Sequence, residues 1–143
     1  SLIKHFSKYS NFEIQLDIND KSSLYRADVM ISDWSGVAME FAFACERPLI
    51  FIDVPKKCLN PDADKIGIRP IEVSIRSEIG VIVSPDDINQ LPGIIKNCFL
   101  NQQLYIDNAI KLRAEYVFNM GESIEVGAEY LYEYCCKASS TGS

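Results

Sequence analysis

Histidine is nearly missing from this 143-residue chain, which has His5 alone, and its five cysteines include no C-x-x-C pair, so a zinc site is not expected. No apolar run approaches the ~20 residues of a membrane-spanning helix, and the N-terminus lacks the charged-then-apolar order of a signal peptide. Basic residues are outnumbered 14 to 20, giving a formal net charge of -6, which argues against a nucleic-acid partner because phosphate backbones are gripped by clustered Lys and Arg. A small diphosphate is not excluded, since backbone N–H groups at a helix start hold such anions without net positive charge. Six prolines and seven glycines are too few for a disordered or fibrous chain.

What is present is core material. Hydrophobic residues make up 48% of the chain, with seven Phe and seven Tyr, enough for one globular domain of this length. Cys45 and Cys98 fall in apolar helical stretches and read as small buried hydrophobes, which suits a reducing cytoplasm. The opening Ser1-Leu2-Ile3-Lys4 has no Met and the closing 138–143 is small and polar, so a fragment of a longer protein is expected: one domain over 1–137 and a disordered tail.

The alternation in Phe12-Glu13-Ile14-Gln15-Leu16-Asp17-Ile18 predicts a strand, and Ser22 or Ser23 is placed to cap a short helix through Arg26. A second strand runs over Ala27 to Ser32. Val37, Met39, Phe41, Ala42 and Cys45 then fit a buried helix ending before Pro48, and Leu49-Ile50-Phe51-Ile52 reads as a strand covered on both faces. This βαβ order, with further strands expected at Pro70 to Ile75 and Gly80 to Val83, predicts an α/β fold: a three-layer Rossmann-like domain with a small parallel sheet flanked by helices. Residues 55–69 form a long loop. Ser84-Pro85-Asp86-Asp87 carries the marks of a helix start, Pro92-Gly93 interrupts the helix begun there, and a second helix begins after Asn101 with Leu104, Ile106, Ala109, Ile110 and Leu112 as its buried side. A last helix, from about Glu122 to Cys136, offers Ile124, Val126, Tyr130, Leu131 and Tyr134 for packing on the sheet.

The chemistry concentrates between the second strand and its helix, at Asp33-Trp34-Ser35-Gly36. The first N–H groups of a helix have no intrahelical partner and, with the helix dipole, attract an anion; Ser35 can donate its hydroxyl, and Gly36 lets a phosphate approach the backbone. Spacing leaves a second reading open, in which Asp33 or Ser35 merely caps the helix.

The run Ala27-Asp28-Val29-Met30-Ile31-Ser32-Asp33-Trp34-Ser35-Gly36-Val37-Ala38-Met39-Glu40-Phe41, followed by Arg47-Pro48-Leu49-Ile50-Phe51, resembles the CDP-glycerol glycerophosphotransferases, bacterial enzymes that build teichoic-acid-like cell-wall polymers. The family pattern is Ala-Asp, two or three apolar residues, Thr or Ser, Asp-Tyr-Ser-Ser, an apolar stretch with an acid, then a Pro-led apolar strand. The resemblance implies the nucleotide-binding C-terminal half of a GT-B-like transferase, with Asp33, Trp34, Ser35 and Gly36 at the donor diphosphate and Glu40 as the family's helix acid. It implies a CDP-linked polyol as substrate rather than a cofactor, a polymer or lipid-linked acceptor bound through a missing half, and at most peripheral membrane association of the intact protein. Trp34 and Gly36 replace the usual Tyr and second Ser, which removes one hydroxyl donor, and no residue here matches the family's catalytic histidine. A nucleotide-sugar glycosyltransferase domain and a non-catalytic nucleotide-binding or docking module are the alternatives.

Asp53, at the C-terminal end of its strand, and Arg69 are further candidates for ribose or phosphate contacts, because ligands of open α/β sheets bind at that edge; equally, they could be a loop cap and a surface charge. Asp86, Asp87, Glu122 and Glu125 are read as first-turn acids, Tyr130 and Tyr134 as core-facing, and His5 as solvated on a surface helix.

Overall fold

The computed structural model describes residues 2–17, 19–56, 62, 65, 67 and 69–140, the side chains of 138–140 excepted. In chain order the elements are α1 (Leu2–Phe6), α2 (Ser22–Arg26), β1 (Met30–Ser32), α3 (Val37–Cys45), β2 (Leu49–Ile52), α4 (Ile71–Ser74), α5 (Arg76–Ile79), β3 (Gly80–Val83), a 3-10 turn over Pro85–Gln90, α6 (Leu91–Leu100), α7 (Gln102–Tyr116) and α8 (Ser123–Ser140). The three strands form one parallel sheet in the order β1-β2-β3, with Met30 opposite Leu49 and Leu49 opposite Gly80. The molecule is thus an α/β fold around a small open sheet.

Period-two alternation along β2 feeds two cores. Leu49 and Phe51 join Ala38, Met39, Phe41, Ala42, Ile75, Ile79 and Leu112, which packs α3, α5 and α7 on one face. Ile50 turns the other way to Val83 and Cys98, with Ile94, Ile95 and Tyr105 from α6 and α7 around them. Both faces are therefore covered, as the unbroken apolar run of this strand predicts. Burial raises the Cys98 thiol above its ordinary pKa, so it stays neutral and packs as a hydrophobe. An arginine fixes the C-terminal end of α3. Arg113 of α7 donates to the Phe43 carbonyl at 2.5 Å and pairs with Glu46 at 2.6 Å, where the chain leaves α3 with a left-handed φ of 53°. Arg47 donates to the carbonyls of Tyr25 and Ala27, which anchors the approach to β1.

Several local expectations are corrected. The described residues from Phe12 to Asp17 form no strand: Phe12 packs its ring 5.1 Å from that of Phe6, Leu16 is exposed, and no strand among the described residues offers the ladder that alternation alone cannot supply. Residues 71–74 are helical rather than extended, and the i, i+4 row Ile71, Ile75 and Ile79 packs as one side of the helical pair α4–α5. In α7, Ala109 and Leu112 are buried as expected, whereas Leu104 and Ile110 are exposed. The apolar side chains of α8 do not pack on the sheet: Ile124 is 83% and Tyr130 is 70% exposed. The turn before this helix carries positive φ at Asn119 and Gly121, and both sheet faces are already occupied. Backbone helix in α8 continues to Ser140; residues 141–143 of the expected tail lie outside the described residues.

Ser84 caps as predicted, accepting from the Asp86 amide at 3.3 Å, with Pro85 next. At α2 the cap comes from Asp20 rather than Ser22 or Ser23, its carboxylate accepting from the Ser22 amide at 2.8 Å and the Ser22 hydroxyl at 3.0 Å. Those bonds, the amide foremost, hold the Asp20 carboxyl below its usual 3.8. A lowered pKa means that the cap is fully present above the usual value and is lost as pH falls through the lowered one. Following the Ser22 amide resonance against pH is expected to give a midpoint below 3.8; a midpoint at or above it contradicts the cap.

Candidate functional site

Ser32 ends β1 beside Phe51, and Asp33 and Trp34 bend the chain at the C-terminal edge of the sheet before Gly36 opens α3. Gly36 has helical dihedrals (φ -59°, ψ -29°), and no side chain among the described residues caps the helix, so the capping role open to Asp33 or Ser35 is not used. The first turn bonds back on itself, with the Ala38 amide donating to the Ser35 carbonyl at 3.1 Å and the Met39 amide to that of Gly36 at 3.0 Å. The amides of Ser35, Gly36 and Val37 find no acceptor among the described residues. A Cβ built on Gly36 would meet nothing within 4 Å, so no neighbour within the described structure requires glycine there.

Trp34 links this turn to the end of β2. Its indole is half-buried and donates from Nε1 to the Val54 carbonyl at 2.8 Å. The guanidinium carbon of Arg76 lies 3.7 Å from the Trp34 ring centre and 4.8 Å from that of Phe51, and the Lys56 Nζ is 5.7 Å from the indole. A desolvated cation on an indole face is worth about 2 kcal/mol. Arg76 is 4% exposed and donates from Nη1 to the Asp53 carboxylate at 2.9 Å. Asp53 is itself held by its amide, which donates to the Val83 carbonyl at 2.8 Å and extends the β2–β3 ladder by one residue. The other Arg76 donors, Nε and Nη2, are buried without a partner among the described residues. Leaving buried donors of this kind unmade costs about 1–3 kcal/mol each, and more for a charged group.

Of the residues predicted from sequence, Asp33, Trp34, Ser35, Gly36 and Asp53 meet at this sheet edge. Glu40 does not join them. It projects from the first turn of α3 into a separate hollow of about 100 Å³, with Lys21, Leu24, Tyr25, Phe41, Ala44 and Cys45. Arg69 is exposed, and no hydrogen bond or ion pair ties it to the cluster among the described residues. Most of the loop expected to cover the edge, 57–61 with 63, 64, 66 and 68, lies outside the described residues. Sequence reasoning missed Arg76. Its signal was the one basic residue between Ile75 and Ile79, in a stretch whose apolar spacing places it against the sheet, opposite an acid at a strand end.

Among the described residues no three of His, Cys, Asp or Glu converge to hold a metal ion, and no helix is long and apolar enough to cross a membrane. Comparison with protein-family models, with curated proteins and with solved structures returns no match for this chain.

Proposed function

We propose that the edge formed by Asp33 to Gly36 binds the diphosphate of a CDP-linked polyol, and that the chain serves as the donor-binding half of a glycerophosphotransferase with a GT-B-like architecture. The observation that carries this reading is the uncapped start of α3: the amides of Ser35, Gly36 and Val37 are without acceptors among the described residues, beside a glycine whose missing side chain leaves open space. Such amides, with the helix dipole, are the natural partners of phosphoryl oxygens. Their position outside the C-terminal ends of parallel strands is where ligands of open α/β sheets bind.

In the intact enzyme the oxygen of an acceptor hydroxyl forms a bond to the β-phosphorus, the bond from that phosphorus to the bridging oxygen breaks, and CMP departs with the electron pair. The acceptor's proton passes to a base outside this chain, whose sole histidine lies far back in α1. The role left to the residues here is electrostatic: fixed amide dipoles take up the charge that grows on the departing CMP without reorganising as it forms.

Calorimetric titration of this chain with CDP-glycerol, CDP-ribitol and a UDP-hexose tests the assignment. Saturable binding of a CDP-polyol at least tenfold tighter than the UDP-sugar is expected. Preference for the UDP-sugar would move the domain to the nucleotide-sugar glycosyltransferases. Absence of binding by all three would leave a docking module, the reading that the unmatched catalytic histidine favours.

A further inference from the structure

Arg76 is a cation without enough to hold. Its side chain is 5% exposed, Nη1 is committed to Asp53 at 2.9 Å, and Nε and Nη2 are closed off from solvent with no acceptor among the described residues. Those two nitrogens share one edge of the guanidinium plane, the edge that donates side by side to two oxygens of a phosphoryl group. The cluster around them is not a purely structural ion pair, because Asp53 satisfies only one of the three nitrogens and remains half exposed. Arg76 also packs on Trp34, the residue immediately before the amides that open α3.

The geometry points to Arg76 as an anion-binding residue of this edge, its Nε–Nη2 fork taking a phosphoryl group that the Ser35 to Val37 amides hold from the other side, with Trp34 as the side chain that yields to admit it. Three groups pack against the guanidinium, and only one is suited to move. Phe51 is 1% exposed in the centre of the sheet, and Asp53 is held by its own backbone bond to Val83. Trp34 is half-buried and held at its rim by a single hydrogen bond to the Val54 carbonyl. Lys56, with its Nζ 5.7 Å from the indole centre, adds a second positive charge beside Trp34. The inference rests on the diphosphate reading for the kind of ligand and deepens it by naming a cationic partner and a built-in reporter.

Trp34 is the only tryptophan, so its emission reports on this contact alone. Inorganic pyrophosphate titrated into the full chain is expected to change that emission saturably. Arg76→Lys keeps the charge but removes the fork, and is expected to weaken pyrophosphate binding about 10- to 100-fold, the equivalent of one or two charge-assisted hydrogen bonds. Should Arg76→Lys fail to fold by circular dichroism, Asp53→Asn serves instead: it removes a competing negative charge, and tightening by several-fold is expected. Calorimetric binding of pyrophosphate that leaves Trp34 emission unmoved, or affinity unchanged in Arg76→Lys or, in its place, Asp53→Asn, overturns the role of Arg76 and leaves the amide site standing. No binding of either pyrophosphate or CDP-glycerol overturns both.

Discussion

Phe41→Ala is expected to lower the unfolding free energy by about 3–5 kcal/mol, the range for deleting a fully buried aromatic ring. Phe41 is 1% exposed and, with Phe51, is one of the two largest fully buried side chains among the described residues, set between α3 and the face of the sheet that carries Leu49 and Phe51. The cost has two parts, the transfer free energy of the ring and the cavity left among Ile75 and Ile79 of the α4–α5 pair and Leu112 of α7, which cannot all collapse inward. Against the roughly 5–15 kcal/mol that stabilises an ordinary domain, this one change removes a large fraction. Urea denaturation followed by circular dichroism measures it as a lower midpoint at constant slope. A loss below about 1 kcal/mol would mean that α3 is not packed as described.

Gly80→Ala is the second large effect. Gly80 is extended (φ -166°, ψ -177°), so its backbone would suit any residue. What demands glycine is proximity: a Cβ there would lie 2.5 Å from the Leu49 carbonyl oxygen and 2.8 Å from the Leu49 Cβ. The obstacle is the backbone of the neighbouring strand, paired with Gly80 in register, rather than the movable tip of a side chain. Relief requires β2 and β3 to part where both are buried, so a cost at or above the upper end of about 1–3 kcal/mol is expected for this overpacking. The same denaturation experiment reads it. Gly36→Ala is the contrast, since that Cβ meets nothing and the backbone is already helical, and a stiffer unfolded chain is expected to give a small gain of about 0.4–1 kcal/mol.

The legible parts of this fold are those where local chemistry and tertiary context agree. Leu49 to Ile52 reads as a doubly covered strand and is one, and Ser84-Pro85 announces a helix start that the amide of Asp86 confirms. Phe12 to Asp17 and Ile71 to Ser74 show the opposite. Alternation is necessary for a half-buried strand but supplies no partner, and a short apolar stretch between Pro70 and Gly80 satisfies helical spacing as readily as strand spacing. The last helix fails for a different reason: an apolar stripe reveals that a face wants cover, not that cover exists.

The candidate site divides in the same way. Asp33 to Gly36 is legible because a strand, a tight turn and a helix start succeed one another in the chain. Asp53 is legible because strand ends in parallel sheets share an edge. Arg76 is not, because its partners stand 23 residues away at Asp53 and further at Trp34, and only the folded sheet brings them together. Glu40 falls outside the site because the first turn of α3 carries it round to the side of Lys21 and Tyr25.

The central claim is that the open amides of α3 receive a diphosphate. Backbone amide shifts of the ¹⁵N-labelled chain, recorded as CDP-glycerol is added, test it most directly. The largest changes are predicted at Ser35, Gly36 and Val37, saturating together with the Trp34 indole resonance. Saturable changes confined to other segments, such as the hollow beside Glu40, would contradict it.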